Sequence, residues 1–547
     1  TTWTTGSRAG VSSRNEATGP VTAHVYETPG TYFVSLTITD GTNTASNSCT
    51  QIVVQDPDVV FSGTNTICVA ATSLPVAGAD GCPAGAMTAQ QPSFTAAIGT
   101  YATTGTRVLF KRADTFAADG TGASIVANGP GLVGSYGTGA LPIMQASGGA
   151  DMLYVSSATT PATVNDWRIM DLEFNGGGNN IVGVNGMGGA SQITLLRLHI
   201  HDVGFAAVSF SYESLDWWNA NGHPGHALWD QLAVVDGDMR NMNGYAIFAA
   251  AKHTMLLGNY GYNAGLHVVR LGTTMTGVIG NNTLSTQGLY YSVLRVAGPT
   301  WCDSGHAASP VYHPTCSYTT DTQPLGLTVT GEGTGYTEDV VVSNNAFTST
   351  GWVALETGTT NGQVDERVRN VIAEGNFFAS GELAIDVNAQ DITIRNNILR
   401  QDTYLSGTSV IAVELRQPGS PEPPPLRVQL YNNSFYATGN LTAIRVTADA
   451  TDTTVRNNLA YAPSAASHAI LVDEGSANLT ASNNSSDAQV RDTSPLFANA
   501  TGTMSLPSDF VPTGGSYTIG TGAVVPVWSD FFLVPQTSAR DMGAVIH

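Results

Sequence analysis

The sequence predicts an all-β protein built on a right-handed parallel β-helix. Short apolar segments that end in asparagine recur along much of the chain, and each is long enough for one strand. The 547 residues include 60 glycines and only 12% charged residues, a composition typical of turn-rich β structure. A solenoid of stacked turns can use such a length as one continuous fold.

The asparagine repeat starts after residue 166. Its intervals are 22, 32, 20, 36, 25 and 26 residues, apart from one gap that holds a long insertion, and they fit one coil turn plus insertions. Asparagine tolerates the left-handed backbone of a sharp corner, and stacked asparagines form hydrogen-bonded ladders. We therefore expect one asparagine corner per turn, at Asn259, Asn281–Asn282, Asn344–Asn345, Asn376, Asn396–Asn397, Asn432–Asn433, Asn457–Asn458 and Asn483–Asn484.

We expect four segments. Residues 1–56 form an incomplete β-sandwich module, and residues 57–85 a linker or cap. Residues 86–485 form the β-helix, whose first turns, up to about residue 165, are irregular. Residues 486–547 form a closing segment that covers the unpaired strand edges of the last turn.

The N-terminal module shows one alternating strand between two turns, Pro29-Gly30 and Asp40-Gly41. Its apolar positions are Tyr32, Val34, Leu36 and Ile38, and Ile52–Val54 supplies a further strand. This pattern resembles the PKD family of immunoglobulin-like β-sandwich modules, which implies a partial sandwich that acts as a spacer or a glycan contact.

The opening turns and the Asp492-Thr-Ser-Pro-Leu-Phe497 and Asp541-Met-Gly-Ala544 segments resemble those of secreted bacterial β-helix proteins.

The five cysteines suggest an oxidising compartment, and so a secreted or cell-surface protein. Two short loops, Cys68 to Cys82 and Cys302 to Cys316, are candidates for disulfide closure, which leaves Cys49 over. No apolar run is long enough to span a bilayer.

The net charge of −21 argues against general nucleic-acid binding. Only two lysines occur, Lys111 and Lys252. The negative net charge also repels polyanionic glycans, unless a cleft is locally positive.

Two long insertions are candidate binding loops, because function concentrates in long loops on rigid scaffolds. The first, residues 211–230, holds Trp217, Trp218, His223 and His226, and the second, residues 297–337, holds Trp301. Exposed tryptophans are flat platforms for sugar rings. The alternative is that they pack the loops onto the coil.

One motif points to chemistry. Lys252-His-Thr-Met-Leu-Leu-Gly-Asn259, followed by Gly265-Leu-His-Val-Val-Arg270, resembles the active-site turns of the chondroitinase B and alginate lyase family. The resemblance implies that Lys252 is the base and that Arg270 is the acid or charge stabiliser, with His267 beside the substrate. Whether calcium is a cofactor stays open, because the carboxylates that bind calcium in that family are not found upstream of Lys252. The alternative is that Lys252 and Arg270 are surface residues without a catalytic role.

A second constellation lies in the strand that ends in His201. Arg197, His199 and His201 alternate with apolar residues and so share the outer face, and Asp171 and Glu173 do so one turn earlier. Stacking would bring carboxylates beside imidazoles, which suits acid–base catalysis or a weak metal site, with Arg197 as a substrate-binding residue. The alternative is a charged ladder that solubilises the sheet.

The leading function is an extracellular polysaccharide-active enzyme, a lyase that cleaves a uronate-containing glycan, with a polysaccharide or cell-surface glycan as partner. One alternative is a non-catalytic adhesin, stalk or self-associating fibre subunit. A third is a glycoside hydrolase with paired carboxylates, such as Asp171 with Glu173 or Asp216 with Asp230.

Overall fold

A computed structural model describes most of the chain. The described residues are 2–39, 43–156, 163–186, 189–210, 230–272, 274–286, 291–297, 337–349, 353–358, 368–401, 410–418, 424–499, 504–527, 529–535 and 540–547. They divide into two compact units. The 23–242 unit comprises residues 23–217 and 229–242, and the 243–547 unit also includes residues 2–22.

The 23–242 unit contains three parallel sheets, numbered I to III in the order in which the chain enters them in each turn. Sheet I holds β3 (Thr66–Ala70), β4 (Met87–Gln90), β5 (Arg107–Lys111), β8 (Gly131–Tyr136), β11 (Thr163–Met170), β14 (Gly189–Leu196) and β17 (Asp230–Val235). Sheet II holds β6 (Thr115–Ala118), β9 (Ile143–Ala146), β12 (Glu173–Asn175), β15 (His199–Val203) and β18 (Asp238–Met242). Sheet III holds β7 (Ala123–Ile125), β10 (Leu153–Val155), β13 (Val184–Gly186) and β16 (Ala206–Phe210).

The 243–547 unit repeats this plan. Its sheet I holds β20 (His253–Leu257), β23 (Thr276–Gly280), β26 (Val340–Ser343), β29 (Arg369–Glu374), β32 (Gln390–Arg395), β35 (Gln429–Tyr431), β38 (Thr454–Arg456) and β41 (Thr480–Ser482). Sheet II holds β21 (Tyr260–Ala264), β24 (Thr283–Thr286), β27 (Ala346–Ser349), β30 (Phe377–Ser380), β33 (Ile398–Gln401), β36 (Ser434–Ala437) and β39 (Leu459–Tyr461). Sheet III holds β19 (Tyr245–Ala249), β22 (Val269–Leu271), β25 (Leu294–Val296), β28 (Val353–Thr357), β31 (Leu383–Val387), β34 (Val410–Leu415), β37 (Leu441–Val446) and β40 (His468–Asp473).

Three strands per turn, each paired in parallel with the equivalent strand of the next turn, make this a parallel β-helix, which confirms the predicted fold class. The inner row of sheet II shows how the turns pack, since Phe347, Phe378, Leu399 and Phe435 follow one another in register. All four are fully buried. No turn could bury such a residue alone, so stacking supplies the core.

The asparagine corners join sheet I to sheet II, and their two positions have different roles. The first residue of the pair takes a left-handed backbone, as at Asn281 with φ 56°. The second is buried, and its side chain accepts from the asparagine of the preceding turn, as Asn282 Oδ1 does from the backbone N and Nδ2 of Asn259 at 2.8 and 3.0 Å. The predicted ladder is confirmed for Asn259, Asn282, Asn345, Asn376, Asn397, Asn433, Asn458 and Asn484.

Outside the coil, β1 (Gly30–Thr39) and β2 (Thr44–Val54) form an antiparallel pair, as the N-terminal strand pattern predicts. The alternation of apolar residues predicts that one face of β1 is buried, and this prediction is wrong, because Leu36 and Ile38 are 63% and 61% exposed. A second sheet would be needed to cover that face. Residues 2–22 belong to the other unit, so a sandwich module over residues 1–56 stays a prediction.

Short helices lie at the edges of the units. They are α1 (Pro57–Val60), α2 (Phe94–Tyr101), α3 (Asp487–Asp492) and two 3₁₀ turns, Gly63–Asn65 and Pro507–Phe510. Phe94 of α2 packs on Phe110 and Phe174 and so covers apolar side chains of the first turns. No helix among the described residues is long and apolar enough to cross a membrane.

The C-terminal segment packs along the outer face of sheet II in the 243–547 unit. Its cluster joins Phe497, Phe510 and Phe531 to Ile398 and Leu459 of the coil. It also caps corner asparagines, since Asn396 and Asn457 donate through Nδ2 to the carbonyls of Ser529 and Ala523.

Residues 2–22 lie along the same corner. Ser7 N donates to the carbonyl of Asn344 at 2.9 Å, and its hydroxyl donates to the carbonyl of Gly375 at 2.7 Å. Gly6 has φ +85°, and a Cβ there would lie 2.5 Å from the carbonyl oxygen of Asn344. Only glycine fits this approach.

One predicted disulfide is confirmed. Cys68 and Cys82 are bonded, with a Cα–Cα distance of 6.0 Å. The predicted pair Cys302 and Cys316 lies outside the described residues.

Candidate functional site

A row of ionisable side chains runs along sheet III of the 243–547 unit. We call it the sheet III row, and in register it consists of Arg270, Arg295, Glu356, Asp386, Glu414 and Arg445. Its neighbours in each strand, such as Leu355 and Ile385, point into the coil, so the row lies on the outer face. Adjacent members are separated by the strand spacing of about 4.8 Å.

The three carboxylates of the row are buried, since Glu356, Asp386 and Glu414 are only 2–6% exposed. Stacked buried carboxylates repel one another and lose their hydration, so they need cations. Arg416 supplies one, with its Nε and Nη2 at 3.2 and 2.8 Å from the carboxylate oxygens of Asp386. Arg445 bonds Glu414 at 2.7 Å.

Burial raises the pKa of Asp386 to about 6, against the opposing effect of Arg416. The carboxylates of Glu356 and Glu414 on the neighbouring strands raise it further. Asp386 can therefore hold or release a proton near neutral pH, as a general acid or base must.

His267 stands at the arginine end of the row. It is 4% exposed and lies between Tyr245 and Tyr291, with ring centroids at 6.1 and 5.5 Å. Burial first, and then the charges of Arg295 and Arg270, lower the pKa of His267 to about 3. The imidazole is therefore neutral at physiological pH.

The hydrogen bonds of His267 define its tautomer. Nδ1 lies 3.0 Å from the carbonyl oxygen of Ser292, which can only accept, so Nδ1 carries the proton. The Ser292 hydroxyl lies 2.8 Å from Nδ1 and donates to Glu356 Oε2 at 2.9 Å. The lone pair of His267 is therefore on Nε2, and Ser292 connects the ring to Glu356 and is not activated as a nucleophile.

Arg270 and Arg295 are paired across adjacent strands, which brings two positive side chains together. The Arg270 guanidinium lies 5.1 Å from the centre of the Phe248 ring, and Arg295 Nε lies 3.6 Å from Glu356. Two adjacent guanidiniums therefore lie at this end of the row, with the carboxylate of Glu356 beside Arg295.

The residues of the predicted lyase motif lie on different elements of the coil. Arg270 and His267 join the group just described, whereas Lys252 lies in the bend before β20, where its carbonyl accepts from the backbone of Met275 and Thr276. The role of Lys252 as a base stays a prediction.

The second predicted constellation is brought together. In the 23–242 unit, Glu173 pairs in register with His199 across β12 and β15. Glu173 Oε1 lies 3.2 Å from His201 Nε2, and Oε2 lies 3.6 Å from His199 Nδ1. The carboxylate and both imidazoles therefore meet on the outer face, as the alternation predicts.

Arg197, predicted to bind substrate, has each guanidinium nitrogen on a carboxylate. Nε and Nη2 donate to Asp171 at 2.7 and 2.8 Å, and Nη1 donates to Glu27. Asp171 is thus engaged by Arg197, and its role with Glu173 as a pair of hydrolase carboxylates stays a prediction. The other candidates, Trp217, Trp218, His223, His226, Trp301 and Asp216, lie outside the described residues.

Most of the sheet III row was not predicted from the sequence. The signal was one charged residue at the same place in successive apolar strands, as in Ala354-Leu-Glu356, Ala384-Ile-Asp386, Ala412-Val-Glu414 and Ala443-Ile-Arg445. An isolated charge in an apolar strand is costly, so its recurrence in register marks a built feature.

No protein-family model and no curated protein matches the chain. Among solved structures, it is similar to the GH136 lacto-N-biosidase from Eubacterium ramulus, with 11% identity, 76% of this chain and 68% of the other covered, and a TM-score of 0.40. It is also similar to the A-module of the mannuronan C-5 epimerase AlgE4 from Azotobacter vinelandii, with 11% identity, coverages of 69% and 88%, and a TM-score of 0.33. An alginate lyase from Paenibacillus has 15% identity, coverages of 72% and 96%, and a TM-score of 0.30. These low values carry no information on the site.

Proposed function

We propose that this protein is an extracellular enzyme that cleaves a uronate-containing polysaccharide by β-elimination, at the arginine end of the sheet III row. The observation that carries the proposal is the neutral imidazole of His267 beside the paired guanidiniums of Arg270 and Arg295. The Cys68–Cys82 disulfide supports secretion or a cell-surface location.

The two guanidiniums would bind the uronate carboxylate. Arginine presents a planar fork of donors that fits a carboxylate, and burial strengthens the interaction. Neutralising the carboxylate also acidifies the adjacent C–H bond, which is the bond that β-elimination must break. The local positive charge offsets the repulsion expected from the net charge of −21.

His267 would be the base. Burial is the main cause of the low pKa of His267 and persists on binding, but an anionic substrate would cancel the smaller contribution of the charges of Arg295 and Arg270 and so raise the basicity of Nε2. Nε2 then takes the proton beside the carboxyl group, and that electron pair forms the carbon–carbon double bond as the glycosidic C–O bond breaks. The hydroxyl of Tyr291, a residue that is 41% exposed, would protonate the leaving oxygen.

The test is a panel of uronate and neutral polysaccharides, monitored for unsaturated ends by ultraviolet absorbance and for reducing ends by a sugar assay. We expect absorbing products from a uronate polymer only. His267→Asn keeps an N–H near the Nδ1 position but lacks Nε2, and it should abolish product. Arg270→Gln should weaken binding more than Arg270→Lys.

Lys252→Ala is the matched variant for the base that the lyase motif predicts. We expect it to retain cleavage. Loss of cleavage in Lys252→Ala, with His267→Asn still active, would overturn the assignment of His267.

A glycoside hydrolase is the second candidate, favoured by the raised pKa of Asp386 between two further carboxylates. It would release reducing ends without ultraviolet absorbance and would lose activity in Asp386→Asn. No turnover on any polymer, together with ordered self-assembly, would instead favour a fibre or adhesin subunit.

A further inference from the structure

The imidazole and carboxylate group of the 23–242 unit has the chemistry of a metal site. Glu173, His199 and His201 each offer one ligand atom, and these atoms all lie within 4.8 Å of one another. The three side chains come from two adjacent strands of a rigid sheet, β12 and β15. Strand alternation places all three on the same face, so a cation could bind without rearrangement of the backbone.

His201 is oriented as a ligand by a second carboxylate. Its Nδ1 lies 2.8 Å from Asp202 Oδ2, and Asp202 Oδ1 accepts from Asn241 Nδ2 at 2.9 Å. A histidine ligand held at its other nitrogen by a carboxylate is the usual outer arrangement of zinc sites.

This orientation leaves two acceptors facing each other. With its proton on Nδ1, His201 directs the lone pair of Nε2 at Glu173 Oε1, 3.2 Å away. Two lone pairs at that distance repel unless a proton or a metal cation lies between them. A divalent cation would satisfy Nε2 of His201, Nδ1 of His199 and the carboxylate of Glu173 together.

The surrounding charges favour a cation. On the next strand, Arg240 is opposite His201, but it is engaged by Asp238 through contacts of 2.6 and 3.0 Å. On the other side of the group, Asp171 is neutralised by Arg197. Among the described residues, the carboxylates in contact with the two imidazoles are those of Glu173 and Asp202.

We propose that Glu173, His199 and His201 bind one Zn²⁺ ion, with Asp202 as the carboxylate that orients His201. Two imidazoles and one carboxylate suit zinc, whereas calcium takes oxygen ligands only. Three protein ligands leave the fourth tetrahedral position for water or for a group of a bound molecule.

The test is titration of the metal-free chain with Zn²⁺, in competition with a chromogenic chelator. We expect one site per chain, about 100-fold weaker in His199→Ala and in His201→Ala, and about 10-fold weaker in Asp202→Asn. His468→Ala, a histidine outside the group, should bind as the unaltered chain does. Co²⁺ should give the visible absorption of a tetrahedral site, which a surface-bound ion lacks.

Glu173→Gln keeps the size of the side chain, so this variant should fold, which circular dichroism can check. It should nevertheless bind Zn²⁺ more weakly than the unaltered chain. Absence of stoichiometric Zn²⁺ binding would overturn the proposal. So would binding that is equal in the unaltered chain, His201→Ala and Glu173→Gln.

Discussion

At the scale of single residues, the functional argument depends on the environment of His267. Its pKa is about 3 in the folded chain and about 6.5 in an unfolded one, so the unfolded chain binds more protons between these values. The contribution of His267 to stability is therefore complete above pH 6.5 and is lost as the pH falls towards 3.

His267→Asn should remove this loss. Urea unfolding at pH 7 and pH 4 should show a smaller acid destabilisation in His267→Asn than in the unaltered chain, with His468→Asn as the control. Asp386 acts in the opposite sense, because its raised pKa favours the folded state at low pH and that gain is lost as the pH rises through about 6. Equal acid destabilisation in His267→Asn and the control would contradict the burial of a neutral imidazole.

The paired asparagines of a corner give a second residue-scale prediction. Asn282→Ala removes four buried hydrogen bonds, two accepted at Oδ1 and two donated by Nδ2, and should cost about 2–4 kcal/mol of unfolding free energy. Asn281→Gly keeps the left-handed corner and should change it by less than about 1 kcal/mol. Denaturant unfolding of both variants measures these changes in unfolding free energy. Similar losses in Asn282→Ala and Asn281→Gly would contradict the different roles of the two asparagines.

At the scale of elements, the segment of residues 2–22 should stabilise the corner on which it packs. Gly6 and Gly10 have nearly the same backbone, with φ +85° and +84°, but a Cβ at Gly10 meets nothing within 4 Å. Gly10→Ala should therefore show only the strain of about 1–2 kcal/mol of a left-handed alanine. Gly6→Ala should lose more and expose the segment to protease, and identical thermal unfolding and proteolysis of the two variants would contradict this packing.

Elements also show what the sequence could predict. The Asn-ended strands were recognisable because each corner needs a left-handed residue followed by a ladder residue, and His199 and His201 were placed together by strand alternation. The contact of residues 2–22 with Thr283 and Gly375 was not predictable, since no periodicity encodes contacts between residues that are 277 and 368 positions apart in the sequence. The exposed face of β1 was missed because alternation shows which face is apolar and not what covers it.

At the scale of the whole molecule, the two candidate sites differ in the sign of their charge. The net charge is −21, yet the sheet III row ends in two stacked guanidiniums, and the group around Glu173 and Asp202 is negative. The first should attract an anion and the second a cation. The lyase motif could suggest Arg270 and His267, but only the strand register joined them to Arg295, Ser292 and Glu356.

The measurement that tests the central claim most directly is calorimetric binding of a uronate oligosaccharide and of its carboxyl-reduced counterpart, which differ only in the charged group. Recognition by Arg270 and Arg295 predicts that the uronate form binds at least about 100-fold more tightly, and that Arg295→Gln removes the difference. Equal affinity for the two forms, or a preference unchanged in Arg295→Gln, would contradict the account.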